Sequence, residues 1–170
     1  MNTFLIKKYT LILEAILEAD QQAIKDFKVG KIATSDLAEI NKMNVKTVNE
    51  IINEIGFPTI SLTSQKAYKA AVLVVLHSGD IEFLNQSIKY LQDADIVSIQ
   101  KRDIAYMIDK SRIIQRLPQL FGTQYNIDKD GVLKFIDIEK PEELEKRRAE
   151  FDMESFEEYK KIVEQSLGKK

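Results

Sequence analysis

Apolar side chains recur every three or four positions through most of the chain, and this spacing predicts helices. Between Thr3 and about Phe27 the apolar positions follow at intervals of four, three and four residues, which places them on one side of a helix. They are Leu5, Tyr9, Ile12 and Ile16, with Leu13 and Leu17 widening the stripe. The pattern predicts a long amphipathic helix that ends near Gly30.

The segment Lys66–Asp80 joins the most apolar run of the chain to its only histidine. Lysine and alanine residues open the segment and favour a helix, although three valines in its middle favour a strand. We predict a buried helix that begins after the Ser61, Thr63 and Ser64 group. His77 is expected to close this helix, close to the carboxylate of Asp80.

Further helices are predicted from the same spacing and from residues that can cap a helix. They cover Asp36–Lys42, Val45–Ile55, Ile81–Leu91, Ile99–Leu117 and Pro141 to about Phe151, and a last helix carries the stripe Phe156, Tyr159, Val163 and Leu167 before Gly168. Thr34 or Ser35 is expected to cap the first of them. Ser98 is expected to cap the helix that starts at Ile99, and Asp152 the last one.

Two short extended segments follow Pro118 and flank the pair Asp130 and Gly131, which favours a hairpin turn. No other part of the sequence predicts β-structure. The predicted fold is therefore mainly α, with about seven helices and one small β-hairpin near the C-terminal third. The length of 170 residues and the hydrophobic content of 44% suit a single compact helical domain over residues 1–170.

Composition and charge exclude several classes of protein. The chain has 27 acidic and 25 basic residues, and its net charge of −2 gives no overall attraction to nucleic acid or anionic lipid. It contains no cysteine, which excludes disulfides, thiolate zinc sites and a cysteine nucleophile. No apolar run is long enough to span a bilayer, and the N-terminal segment lacks the pattern of a signal peptide. We expect a cytoplasmic protein that binds neither nucleic acid nor membrane.

His77 is the candidate catalytic residue. A lone histidine at the end of an apolar helix is usually structural, and it can also act as a general base or proton donor. The candidate ligand-binding residues nearest to a glycine turn or helix end are Asp80, Asp109, Gln119, Thr123 and Gln124. Polar groups held there can converge on a ligand, or the glutamines can satisfy backbone groups where the helix gives way to the hairpin. One histidine and scattered carboxylates do not predict a metal centre, and no cofactor is expected.

Arg147 and Arg148 complete the predicted site. Adjacent residues in a helix lie about 100° apart around its axis, so we expect at most one of the two to point into a shared site. An inward arginine suits a carboxylate or phosphate because its donors form a fork. Pairing with nearby glutamates of the same helix is an equal alternative.

Two motif matches are partial. Asn126, Asp128, Asp130 and Gly131 fall at positions of a calcium-binding loop, but the twelfth position holds Asp137 in place of a glutamate and the flanking segments read as extended. The apolar positions between Thr34 and Gly56 resemble a helix-turn-helix core. The surrounding residues 31–60 contain three basic and four acidic side chains, which argues against binding to DNA.

Four segments, NEIGFPT, VVLHSGD, AYMIDKSRIIQRLPQLFGTQ and EKRRAEFDMESFEEY, together resemble an uncharacterised bacterial family, domain of unknown function 6624. The resemblance runs from about Asn44 to about Tyr159. Residues that match the family motifs directly are His77, Gln119, Gly122, Thr123, Gln124, Arg147 and Arg148. Phe57, Leu76, Lys110 and Phe121 stand where the family has tryptophan, glutamine, arginine and tyrosine. The resemblance implies that these residues form one group, and it implies no particular reaction.

Two functions are consistent with these observations. In the first, a polar pocket around His77 binds or hydrolyses a small, possibly anionic molecule, with an arginine holding the anion. In the second, the domain is a protein-interaction module, such as an immunity or antitoxin protein that blocks a partner. A concave polar pocket would favour the first function, and an exposed apolar patch the second.

Overall fold

The computed structural model describes residues 2–167, and the chain divides into two units between Ile99 and Gln100. Across the described residues there are seven α-helices and one two-stranded antiparallel sheet, which confirms the predicted fold class. None of these helices combines the length and hydropathy needed to cross a bilayer. The single domain expected over residues 1–170 stays a prediction, and each unit is described separately below.

The first unit contains four α-helices followed by a short 3-10 turn. They are α1 (Thr3–Lys28), α2 (Thr34–Ile55), α3 (Gln65–His77) and α4 (Ile81–Gln92), and the turn is Ile96–Ser98. The apolar α3 contacts α1, α2 and α4, so it lies at the centre of the unit. Its first turns carry the buried Ala67, Ala70 and Ala71, small residues that allow neighbouring helices to approach closely. The prediction of a buried helix closed by His77 is confirmed.

Polar contacts fix how the long helices of the first unit meet. Ser64 caps α3 by accepting a hydrogen bond from the Ala67 N–H at 3.1 Å, and its own hydroxyl donates to Glu14 of α1 at 2.6 Å. The Tyr9 hydroxyl donates to the carboxylate of Glu54, which joins the start of α1 to the end of α2. Helices α1 and α2 therefore run antiparallel.

The two short helices predicted at Asp36–Lys42 and Val45–Ile55 form one continuous helix, α2. The predicted break between Lys42 and Val45 was wrong. Residues 43 and 44 are helical, and the apolar positions before and after them keep one helical spacing. The predicted caps Thr34 and Ser35 lie inside this helix. Its start is held by Asp36, whose carboxylate accepts from the Ala33 N–H at 2.7 Å. Without a turn, this segment is not a helix-turn-helix.

The second unit contains three α-helices and the hairpin. They are α5 (Lys101–Ile114), β1 (Tyr125–Ile127), β2 (Leu133–Phe135), α6 (Leu144–Glu150) and α7 (Phe156–Ser166), with a 3-10 turn at Pro141–Glu143 before α6. Ala105 of α5, Phe121 and Met153 form the centre of its core. Phe151 packs on Phe121 with the ring centroids 4.7 Å apart. The core therefore lies directly beneath the segment that joins α5 to β1.

Two of the predicted caps in the later part of the chain were wrong. Ser98 ends the 3-10 turn, where its hydroxyl shares a hydrogen bond of 2.7 Å with Ser61, and α5 starts three residues later. Asp152 follows α6 in a left-handed conformation with φ of 54°, and Ser155 caps α7. In both places the chain makes an extra turn that helical spacing alone does not reveal. The predicted end at Gly168 lies outside the described residues.

The hairpin joins β1 to β2 through the five residues 128–132. The Asp128 carboxylate accepts from the N–H groups of Asp130 and Val132 at 3.0 and 2.8 Å, and Gly131 adopts a φ of 75°. The second carboxylate oxygen of Asp128 forms an ion pair with Lys134 Nζ at 3.0 Å. The predicted turn at Asp130 and Gly131 is confirmed, and the loop is organised by its own aspartate.

Candidate functional site

Six of the eight predicted site residues lie in the second unit, around the loop Gln119–Gln124 that joins α5 to β1. Asp109 reaches the loop from α5, and the arginines reach it from α6. The loop supplies the other three, which are Gln119, Thr123 and Gln124. His77 and Asp80 belong to the first unit, and their meeting with this loop stays a prediction.

The Asp109 carboxylate binds the backbone of the loop. One oxygen accepts from the N–H of Leu120 at 2.7 Å and from that of Phe121 at 3.1 Å. The other accepts from the N–H of Thr123 at 3.0 Å and from the Thr123 hydroxyl at 2.9 Å. Asp109 is fully buried, and four donors occupy the lone pairs of its carboxylate. No acceptor site is left for a ligand or for a proton taken from a substrate.

The Gln119 side chain closes the loop on itself. Its amide nitrogen donates to the carbonyl oxygens of Gln124 at 3.0 Å and Ile136 at 2.6 Å, and its oxygen accepts from the Gln124 N–H at 2.8 Å. Backbone bonds from Gln119 to Asp137 and from Glu139 back to Gln119 join the loop to the chain that follows β2. Gln119 is fully buried and satisfies backbone groups, which is one of the two alternatives that the sequence left open.

Both arginines bond to the same loop, and the expectation that at most one of them points into a shared ligand site stays a prediction. Arg147 Nε donates to the carbonyl oxygen of Leu120 at 2.8 Å, and Arg148 Nη1 donates to that of Phe121 at 2.5 Å. Long side chains that leave a helix about 100° apart can bend to bracket one segment. The Arg147 guanidinium also donates to the Glu139 carbonyl at 2.6 Å and to the Glu143 carboxylate at 3.3 Å.

Arg148 is the largest fully buried side chain of the described residues. Its guanidinium lies over the rings of Phe156 and Tyr159, with Cζ 5.7 and 5.0 Å from the ring centroids, and Nε donates to the Glu154 carbonyl at 2.8 Å. The Glu154 carboxylate lies 3.6 Å from Nη2 and supplies the opposite charge. Aromatic faces and a carboxylate together stabilise a buried cation. The positive charge is therefore shielded from solvent, and Nη2 has no hydrogen-bond partner among the described residues.

Sequence reasoning missed Tyr159, which it treated as one member of an apolar stripe. The Tyr159 hydroxyl donates to the Thr123 carbonyl at 3.1 Å, and burial raises the pKa of Tyr159 well above its ordinary value, so the hydroxyl stays protonated. A tyrosine on the buried face of a helix usually has a hydrogen-bond partner. This preference of buried tyrosines for a hydrogen-bond partner could have identified Tyr159 from the sequence.

Every backbone N–H and C=O of the loop outside Gly122 has a protein partner, and most of these partners are side chains. Gly122 has a φ of 69°, and a Cβ built there would lie 2.7 Å from the Phe156 ring. A glycine is thus required both by the backbone conformation and by the close approach of α7. The predicted site residues in this unit hold a buried loop in one conformation.

His77 and Asp80 stand at the junction of α3 and α4 in the first unit. The His77 side chain is exposed and makes no hydrogen bond or ion pair within the described residues. Asp80 caps α4, where one carboxylate oxygen accepts from the N–H groups of Glu82 and Phe83 at 2.9 and 3.1 Å. Of the eight predicted residues, His77 is the one whose polar groups are accessible and free of internal partners.

A metal site would need several side chains that could hold the ion together. Between residues 2 and 167, no three histidine, aspartate or glutamate side chains are grouped so that they could hold a metal ion. The carboxylate nearest the loop, that of Asp109, is already bonded to backbone and hydroxyl donors. The donor set therefore suits structural hydrogen bonding better than ion binding.

The fold and the bonded loop define a class: mainly helical proteins in which an aspartate, a glutamine and two adjacent arginines hold a buried G-T-Q loop. The chain belongs to the family of unknown function DUF6624, whose model matches residues 10–170. The resemblance seen in the sequence is confirmed. No curated protein and no solved structure showed significant similarity to the chain.

Proposed function

We propose that the protein is a binding module that takes another protein on its surface, in the manner of an immunity or antitoxin protein. One observation carries the proposal: Asp109, Gln119, Thr123 and Arg148 are buried, and each of them forms hydrogen bonds inside the protein. A small-molecule site needs convergent polar groups that are free to bind. The absence of cysteine is consistent with a cytoplasmic setting, which stays a prediction.

A thermal-shift screen tests this proposal against a small-molecule pocket in the second unit. The wild-type protein is heated with millimolar phosphate, dicarboxylates and nucleotides, one at a time. We expect no rise in the melting temperature above about 1 °C, because a ligand at 100 times its Kd would add about 2.7 kcal/mol and a larger shift. A rise of several degrees that is lost in Gln124→Ala, a half-exposed loop residue, would overturn the proposal.

A second candidate function rests on His77. Its imidazole is exposed and has no partner within residues 2–167, so both ring nitrogens can contact a small molecule. His77 lies in the last turn of α3, so its ring stands at an exposed helix end that a small molecule can reach. On this alternative, His77 binds an anionic molecule or acts as a base in its hydrolysis.

Hydrolysis of chromogenic carboxylic and phosphate esters by the wild type, His77→Ala and Gln86→Ala tests the second candidate. Gln86 is an exposed residue of α4 and serves as the matched control. Loss of hydrolysis in His77→Ala alone, with the melting temperature unchanged, would establish His77 as a reactive group. Equal background rates in all three proteins would remove the hydrolytic candidate and leave the interaction module.

A further inference from the structure

Helix α1 has a second apolar stripe on the side opposite its packed face. Leu13, Asp20 and Ala23 are buried on the inner side. On the outer side, Phe4 is 78% exposed and Leu11 is 59% exposed. These two residues are seven apart and so lie on one side of the helix. Large apolar side chains aligned at this exposure indicate a surface that another molecule covers.

The charged and small residues on the same side are arranged symmetrically about position 13. The exposed Leu11 and Ala15 lie two positions to either side of it, and the exposed Lys8 and Glu18 lie five positions to either side. An antiparallel copy of α1 would therefore place Leu11 against Ala15 and Lys8 against Glu18. A parallel copy would place each charge against itself, which is destabilising.

We propose that the outer face of α1 is a self-association surface, on which a second copy of this chain docks through the same helix in antiparallel orientation. A two-fold interface must be complementary to itself, and Leu11 with Ala15 and Lys8 with Glu18 satisfy this condition about position 13, while Phe4 falls opposite the polar Gln22. A lipid surface is the weaker match, because Glu18 lies within the stripe and amphipathic membrane helices carry large apolar residues flanked by lysine and arginine.

The size of the outer face of α1 determines the dimerisation affinity that we expect. A helix of 26 residues is roughly 39 Å long at about 1.5 Å per residue. Specific interfaces bury roughly 1,200 to 2,000 Å² in total, and a contact along a single pair of helices belongs with the small interfaces at or below this range. The dimer should therefore form in the micromolar range and dissociate on dilution. This surface is independent of the proposed partner-binding role, and either can fail without the other.

Sedimentation of the full chain from about 5 to 500 μM tests the proposal. We expect a concentration-dependent dimer, a loss of at least tenfold in the association constant for Leu11→Glu, and no change for the control Ile162→Glu, which alters an exposed residue of α7. Lys8→Glu and Glu18→Lys should each weaken the dimer, and the double charge reversal should restore it. A monomer at every concentration, or a dimer that Leu11→Glu leaves intact, would overturn the proposal.

Cross-linking gives a second readout of orientation, because the chain has no cysteine of its own. An equal mixture of Leu11→Cys and Ala15→Cys chains is oxidised, and the products are compared with those of each variant alone. The antiparallel arrangement predicts that mixed dimers exceed both kinds of identical dimer. An excess of Leu11→Cys homodimers would indicate parallel helices and overturn the proposal. Binding to anionic phosphatidylserine vesicles by a strictly monomeric wild type would assign the stripe to lipid instead.

Discussion

At the scale of single residues, the loop Gln119–Gln124 depends on groups that have no substitute. Gly122 provides a left-handed backbone conformation in contact with the Phe156 ring, and Asp109 provides two oxygens for four donors. Each group serves several backbone atoms at once. Loss of either one should therefore affect the whole second unit.

Gly122→Ala should destabilise the second unit by about 3 kcal/mol, since backbone strain and overpacking each contribute roughly 1 to 2 kcal/mol. Gly131→Ala is the matched control, because Gly131 has a similar φ of 75° and no atom within 4 Å of a built Cβ. The control should lose only about 1 kcal/mol. Urea denaturation followed by circular dichroism measures both. Equal losses would show that the contact with Phe156 is unimportant.

Asp109→Asn should cost about 3 kcal/mol, because the amide NH2 would face N–H and hydroxyl donors that then lose their acceptor. Asp137→Asn is the control: the Asp137 side chain is exposed, and its change should stay within about 0.5 kcal/mol. The same denaturation measurement applies. A neutral Asp109→Asn would mean that the loop does not need the carboxylate, and would reopen a ligand role for Asp109.

At the scale of secondary structure, periodicity located the helices well and their ends less well. The apolar spacing predicted α1 and α4 closely because each has one buried side, and α3 was predicted from the helix-forming residues that open it. It failed at Asp152, where a left-handed residue turns the chain before α7, and between residues 42 and 45, where no break occurs. Bonding of the glutamines to the backbone was one of two alternatives, but the bonds that Asp109 and the arginines make to the loop were not predicted, because side-chain to backbone bonds over long separations leave no periodic signal.

The capping box of α7 provides a prediction at this scale. Ser155→Ala should destabilise the second unit by about 1 kcal/mol, because the Ser155 hydroxyl accepts from the Glu158 N–H. Asp152→Gly should be neutral or slightly stabilising, since glycine tolerates the left-handed conformation and the exposed Lys101–Asp152 pair contributes little. A larger loss for Asp152→Gly would restore Asp152 as the cap.

The capping box formed by Ser155 and Glu158 also makes the stability of the second unit depend on pH. Hydrogen bonds from Ser155 lower the pKa of Glu158, so the ionised carboxylate stabilises the folded state above its unfolded pKa, near 4.5, and this contribution is lost as the pH falls through the lowered value. Melting temperatures of the wild type and Glu158→Gln should therefore differ at pH 7, and the difference should shrink as the pH falls below the unfolded pKa of about 4.5. A difference that stays constant or grows as the solution is acidified would contradict this assignment.

At the scale of the whole molecule, charge decides which partners are attracted. The net charge is −2, and the uninterrupted α2, which covers the segment resembling a helix-turn-helix, carries four acidic and two basic residues. A mobility-shift assay with duplex DNA at physiological salt should show no complex at micromolar protein. A sequence-selective complex in the nanomolar range would overturn the charge argument.

The loop also sets the order of events while the chain is being made. The hydroxyl that bonds to the Thr123 carbonyl belongs to a residue 36 positions later, and the arginines that bond to Leu120 and Phe121 come 27 positions later. The loop therefore leaves the ribosome well before its last partners are made, and the carbonyl groups of Leu120, Phe121 and Thr123 bind water until α6 and α7 emerge. Folding of the second unit is completed only after Tyr159 has left the exit tunnel, so a pause in translation before that point prolongs exposure of an unformed core.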